Sequence, residues 1–179
     1  MPQRKDEELV AAVLGGETEQ YSDLVKRYQG RIVNYLYRLL RNVDDAHDLA
    51  QEVFLRVYNA LDRYNPEYKF FSWIYRIATN ESINYRSRSS HEQSLDEDRF
   101  AADSHPDHAV EDEQLSDVIQ AGLMSLQDDY RTVVVLRHFS ELSYRDISKI
   151  LHIPEKTVKS RLYSARQLMK ARLHAMGVS

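Results

Sequence analysis

Residues Leu142 to Leu173 read "LSYRDISKILHIPEKTVKSRLYSARQLMKARL". Ser143 and Asp146 stand three apart at the start of this run, the S-x-x-D pattern that satisfies the first free N–H groups of a helix. Ile147, Ile150 and Leu151 follow at helical spacing and give that helix a buried face. His152-Ile153-Pro154 leaves room only for a short turn, so the next helix crosses the first steeply. Pro154 preorganises the first turn of the second helix, and Val158 and Leu162 anchor its inner side. Two helices so joined make a helix-turn-helix, whose second helix fits a duplex groove.

The outer side of that second helix carries the chemistry. Glu155, Lys156, Thr157, Lys159, Ser160, Arg161, Tyr163, Ser164 and Arg166 are the candidate duplex-reading residues. Long donors at the front of such a helix reach base edges, and Lys and Arg neutralise phosphates. A surface helix with ordinary solvating lysines is the plain alternative. The cap, the turn and the clustered cations together favour DNA reading.

The chain as a whole carries a net charge of −4, which by itself argues against a nucleic-acid partner. Its distribution reverses the argument. Residues 1–90 are balanced, 91–113 carry nine acids against one arginine, and 114–179 have a net charge of +4. The acidic stretch, "HEQSLDEDRFAADSHPDHAVEDE", has no sustained apolar period and reads as an extended linker. Composition ranks a passive tether first and a mimic of nucleic-acid charge second.

On the N-terminal side helical periods dominate. Leu9, Val10, Val13 and Leu14 form a short amphipathic helix that ends at Gly15-Gly16. Tyr21 to Leu40 carries apolar residues at i, i+3/i+4, with Asn42 closing the helix. Asp44 or Asp45 caps a third helix, whose inner face is Ala46, Leu49, Ala50, Val53, Phe54, Val57 and Leu61. Asn65-Pro66 breaks the chain, and a fourth helix runs from near Phe70 toward Tyr85. Beyond the linker, apolar periods at Leu115–Leu126 and Tyr130–Arg137 predict two more helices before the helix-turn-helix. No strand pattern occurs. The expected fold is all-α: a helical domain over 1–90, an acidic flexible linker over 91–113, and a helical domain over 114–179 containing the helix-turn-helix.

"KFFSWIYRIATN", Lys69 to Asn80, concentrates aromatic residues. Phe70, Ile74, Ile77 and Ala78 share a core face, and Trp73 lies beside it. Tyr64, Tyr68, Lys69 and Phe71 fall in the preceding loop or on the outer side, while Asn80 and Asn84 follow Arg76 by one and two turns. Exposed rings stack on unpaired bases at about 1–3 kcal/mol each. Asn pairs with a base edge, and Lys69, Arg76, Arg86 and Arg88 suit phosphates.

"LSYRDISKILHIPEKTVKSRLYSAR" resembles the C-terminal helix-turn-helix of bacterial sigma factors of the extracytoplasmic-function (ECF) group, in the sigma-70 family. "DDAHDLAQEVFLRVYNAL" and "FFSWIYRIATNESINY" resemble that group's N-terminal domain. The likeness runs from about Tyr21 to Leu173. It implies a factor that binds core RNA polymerase and directs it to promoters. The C-terminal domain (region 4) would read the −35 element, and the N-terminal domain (region 2) would open the −10 element by capturing a flipped base from one strand. The linker would thread toward the polymerase active-site and RNA-exit channels, which revives the nucleic-acid-mimic reading. Asp45, Asp48, Gln51 and Glu52 would contact a coiled coil of the largest polymerase subunit; without the resemblance they read as a solvated face near a helix N-terminus. Two departures show: His47 stands where the family favours an acid, and Ser164 where it favours an arginine. The resemblance also implies an anti-sigma factor as inhibitor, often membrane-bound.

The competing reading is a stand-alone helix-turn-helix regulator, which leaves the acidic stripe and the aromatic segment without work. Nothing points to an enzyme: there is no cysteine, no Gly-rich phosphate loop and no H-E-x-x-H. His105 and His108 make at best a loose metal pair in a polar linker, so no metal, cofactor or small-molecule substrate is expected. The cysteine-free composition and a first segment unlike a signal peptide lead to an expectation of a cytoplasmic protein.

Overall fold

The protein is described by a computed structural model covering residues 4–93 and 110–177. Eight α-helices and no strand occur among the described residues. The N-terminal domain comprises α1 (Asp6–Leu14), α2 (Tyr21–Leu40), α3 (Val43–Asn59) and α4 (Phe70–Gln93). The C-terminal domain comprises α5 (Val110–Met124), α6 (Asp128–Val134), α7 (Tyr144–Leu151) and α8 (Glu155–Ala175). The acidic stretch between α4 and α5, with His105 and His108, lies outside the described residues.

Periodicity built the N-terminal core as expected. Leu24, Tyr28, Ile32, Tyr35, Leu36 and Leu39 form one buried stripe of α2 against Leu49, Val53 and Val57 of α3. Two details differ. Leu14, expected on the buried face of α1, is 55% exposed, because the helix ends there and Gly15 turns the chain away. Asn42 is the cap of α3, not the closing residue of α2: its Oδ1 accepts the Asp45 N–H at 3.0 Å. Arg41, in the left-handed region at φ 56°, ends α2 instead. Asn has the short side-chain oxygen that reaches the third N–H of a helix, so Asp44 and Asp45 are left in the first turn, where the dipole favours acids.

Asn65 Oδ1 accepts the Glu67 N–H at 2.9 Å, which makes the Asn-Pro break an Asx turn. α4 then continues well past Tyr85. Its second half lacks an apolar period, yet long polar side chains tolerate a helix and bond back to it; Arg86 Nε donates to the Ser82 carbonyl at 3.2 Å.

In the C-terminal domain Ser143 Oγ accepts the Asp146 N–H at 3.1 Å and donates to Asp146 Oδ2 at 2.6 Å. His152, left-handed at φ 53°, closes α7. Pro154 is the cap of α8 and not its first helical residue: its carbonyl accepts from Thr157 and Val158. Ile147, Ile150, Val158 and Leu162 are fully buried between the two helices. Gly122 lets Met169 and Leu173 of α8 come close to α5, where a Cβ would sit 3.4 Å from Met169 Cε. α6 widens into one π-helical turn at Val135–Phe139 before α7.

The two domains do not hang apart. Arg38 of α2 and Gln120 of α5 exchange two hydrogen bonds, Nη1 to Oε1 at 3.2 Å and Nε2 to the Arg38 carbonyl at 3.1 Å. The Arg38 guanidinium also lies over the Phe139 ring, 4.6 Å from its centre. Arg86 of α4 pairs with Asp128 of α6. Arg131 reaches across to the Leu39 carbonyl at 3.1 Å.

Candidate nucleic-acid interface

The loop before α4 and the first turns of that helix hold the expected single-strand residues, and the structure sorts them. Phe70 is buried, with its ring against Tyr28, Tyr64 and Trp73. Tyr64 is a correction to the sequence reading: only 8% exposed, it belongs to this aromatic cluster and is not free to stack on a base. Its hydroxyl donates to the Tyr68 carbonyl at 2.5 Å, so it fixes the loop that presents Tyr68. Burial raises the Tyr64 phenol to about 12, with Glu7 and Asp6 adding to the shift. The residue before a helix is often half outside it, and sequence spacing alone does not show that Ala60–Tyr64 turns back onto the core.

Tyr68 is half exposed, and Phe71 is half-buried beneath the Lys69 ammonium, 5.3 Å from its ring centre. Asn80, Asn84 and Arg88 are exposed on α4. Arg76 and Arg86 are engaged with the other domain: Arg76 Nη2 donates to the Lys149 carbonyl at 2.8 Å, and Arg86 pairs with Asp128.

On α8, Glu155, Lys156, Lys159, Ser160, Tyr163 and Arg166 are exposed, while Thr157 and Ser164 are half-buried. Tyr163 is 67% exposed, which is unusual for a ring without a partner surface. The Tyr144 ring at the start of α7 lies between two cations, Arg137 at 5.1 Å and Lys159 at 5.8 Å, and so steadies Lys159. Arg161 turns inward to Asp129 at 2.7 Å. His138 Nε2 meets Arg166 Nη2 at 3.3 Å; partial burial, then Arg166 and Arg137, lower its pKa.

A further surface lies between α2 and α3 of the N-terminal domain. Tyr21, Val25, Val33, His47, Gln51, Phe54, Leu55 and Tyr58 line a groove of about 510 Å³ between α2 and α3. A second depression of about 480 Å³ shares Gln29, Val33 and His47 with it, so the two are continuous. Leu55 is 64% exposed and Tyr58 41%. Sequence reasoning passed over both, although they fall off the buried stripe of α3 and share a face with Gln51, a signal of an unpartnered apolar patch. Asp48, Gln51 and Glu52 are exposed on that helix, and Asp45 is half-buried at its start. His47 is exposed and lines the groove itself.

Comparison with known proteins follows this division of the chain. Residues 24–92 match the family Sigma-70 region 2, and residues 116–169 match Sigma-70, region 4. The chain is 36% identical to the ECF RNA polymerase sigma factor SigW of Bacillus subtilis (strain 168), covering 92% of this chain and 94% of that protein. It is 32% identical to the ECF RNA polymerase sigma-E factor of Escherichia coli (strain K12), covering 92% of each. Among solved structures, CnrH in complex with the cytosolic domain of CnrY shares the fold at a TM-score of 0.75 and 22% identity, covering 95% of this chain and 97% of that one.

Proposed function

This chain belongs to the ECF group of the sigma-70 family of RNA polymerase sigma factors, and from that premise we propose how it divides the work of initiation among its surfaces. The family acts in transcription initiation and is not a family of catalysts. Region 2 docks on core RNA polymerase through the α2–α3 groove and the acidic face of α3. An amphipathic helix of the polymerase, with basic residues flanking its apolar stripe, suits Leu55 and Tyr58 together with Asp48, Gln51 and Glu52. The carrying observation is this pairing of an exposed apolar groove with acids on one helix.

The −10 element is opened on α4. Tyr68 and Phe71 stack on unpaired bases, Asn80 and Asn84 bond base edges, and Lys69, Arg76, Arg86 and Arg88 hold phosphates. Extruding a base costs a few kcal/mol, which contacts of this size offset. Tyr64 positions the loop and does not touch the strand. The −35 element is read by α8 through Glu155, Lys156, Thr157, Lys159, Ser160, Arg161, Tyr163, Ser164 and Arg166. The undescribed acidic stretch threads the polymerase channels. An anti-sigma factor is the expected inhibitor.

The test is binding to core polymerase. Asp48→Lys/Glu52→Lys is expected to weaken binding at least about tenfold, as like charges replace complementary ones at a docking face. Leu55→Ser/Tyr58→Ser is expected to weaken it with no change in charge. Polymerase binding unaffected by both pairs would refute this surface.

A further inference from the structure

Gly30 stands halfway along α2, a helix of 20 residues. Glycine in a helix interior lowers the folding equilibrium about four- to fivefold relative to alanine. The usual internal reasons for keeping it there are absent. It is far from either helix end, and it is not among the glycines of positive φ, which are Gly16 and Gly177. Nor does another part of the chain crowd it: a Cβ at Gly30 would meet nothing within 4 Å. Gly122 is the contrast, since a Cβ there would sit 3.4 Å from Met169 and 3.5 Å from Leu173 of α8. The space over Gly30 opens outward, and the residue is exposed.

Its surroundings suit a contact. Gly30 lines the depression of about 480 Å³ together with Val33, Tyr37 and Val43. Gln29, Val33 and His47 carry that depression into the larger groove of Leu55 and Tyr58. Lys26 also lines it, but pairs with Asp23 at 3.4 Å and so does not cancel the acids of α3.

We propose that Gly30 is where the docked polymerase helix crosses α2 most closely, main chain against main chain, and that it thereby sets the register of docking. This rests on the reading of the α2–α3 groove given above and adds its point of closest approach. Packed helix axes stand about 8–10 Å apart, according to the side chains at the crossing. Glycine permits the short end of that range. A side chain at Gly30 would prop the partner away from Val33 and Tyr37 as well. A gap of about 0.5–1 Å forfeits a quarter to a half of the dispersion energy of each contact it opens. The weaker helix is then the counterpart of a closer docking, a trade of stability against function.

The experiment uses the full chain and core RNA polymerase. Gly30→Ala and Gly30→Leu are each measured twice, by thermal unfolding and by affinity for the core enzyme. Gly30→Ala is expected to raise Tm by about 2–4 °C and to weaken polymerase binding by about threefold or more. Gly30→Leu is expected to keep Tm at or above that of the parent and to weaken binding by about tenfold or more. Both losses persist at raised salt, because they are steric, whereas the loss from Asp48→Lys/Glu52→Lys shrinks as salt screens it. A lower Tm for Gly30→Ala would make the glycine a requirement of the fold and overturn the inference. Unchanged polymerase affinity in both Gly30 variants overturns it too; if Asp48→Lys/Glu52→Lys still weakens binding, the docking surface stands without this crossing. If that pair is also without effect, the docking reading fails and the crossing with it.

Discussion

Arg131 is a buried cation, and Arg131→Met tests what it does. The side chain is 7% exposed. Nε donates to the Leu123 carbonyl at 3.0 Å, Nη2 to Met124 at 3.1 Å and Leu126 at 2.9 Å, and Nη1 to Leu39 at 3.1 Å. Three of these acceptors lie at the end of α5 or just beyond it, where the last carbonyls lack the N–H of a further helical turn. Desolvation lowers the guanidinium's pKa and Asp128 opposes the shift, but arginine stays charged at any relevant pH. Methionine fills the stem volume and keeps the apolar contacts, so the loss is that of the hydrogen bonds and of the pairing with Asp128. Four charge-assisted bonds at about 1.5–3 kcal/mol each exceed the net effect, because the variant no longer desolvates a charge. A loss of about 3–4 kcal/mol remains, or roughly 10 °C in Tm for a chain of this size. Urea unfolding followed by circular dichroism reads it. Arg131→Lys, with charge but without the planar fork, should recover less than half. A loss under about 1 kcal/mol, or full recovery with lysine, would refute the reasoning.

Trp73→Ala should cost about 2–3 kcal/mol, less than for a fully enclosed ring because Trp73 is half-buried against Tyr64 and Phe70; an unchanged thermal midpoint contradicts this. Tyr64→Phe keeps that stacking and loses the bond to the Tyr68 carbonyl, so it should cost about 1 kcal/mol and slow promoter opening with polymerase binding intact. Asn80→Ala should lower promoter opening, read by permanganate reactivity, while fold and polymerase affinity hold; an equal loss of polymerase binding would make Asn80 part of the scaffold. The folded-state pKa of His138 lies below its unfolded value, through partial burial and then Arg166 and Arg137. Its contribution to stability is therefore present above the unfolded pKa of about 6.5 and lost as pH falls through the folded value. His138→Gln should flatten the stability–pH curve between about pH 7.5 and 5.5; parallel curves would remove His138 from the account.

Most helix positions could be read from apolar periodicity, because each helix buries one stripe and Leu24–Leu39 or Ile147–Leu162 announce theirs. The helix-turn-helix was the plainest, since cap, turn and core residues all fall within one short run. Helix ends were harder. Asn42 and Asp44 are both good caps by type, and only the Asp45 N–H bond decides between them. The candidate site was legible by residue type but not by environment. Tyr64 and Tyr68 differ by one turn of chain and are opposite in exposure. Leu55 and Tyr58 stay hidden because a docking groove is made of residues that periodicity passes over. The contacts between domains could not be read at all: Arg38, Gln120 and Arg131 are ordinary polar residues of amphipathic helices until two helices distant in sequence meet.

The central claim is that this chain confers promoter choice on core RNA polymerase. Run-off transcription on a fragmented genomic library, with core enzyme alone and with core enzyme plus the chain, tests it most directly. Discrete transcripts that need the chain, share a −35 and a −10 element upstream, and disappear with Asp48→Lys/Glu52→Lys are the predicted result. A chain that shifts duplex DNA unaided yet adds no transcript to core enzyme would contradict the claim and return the helix-turn-helix to a stand-alone regulator.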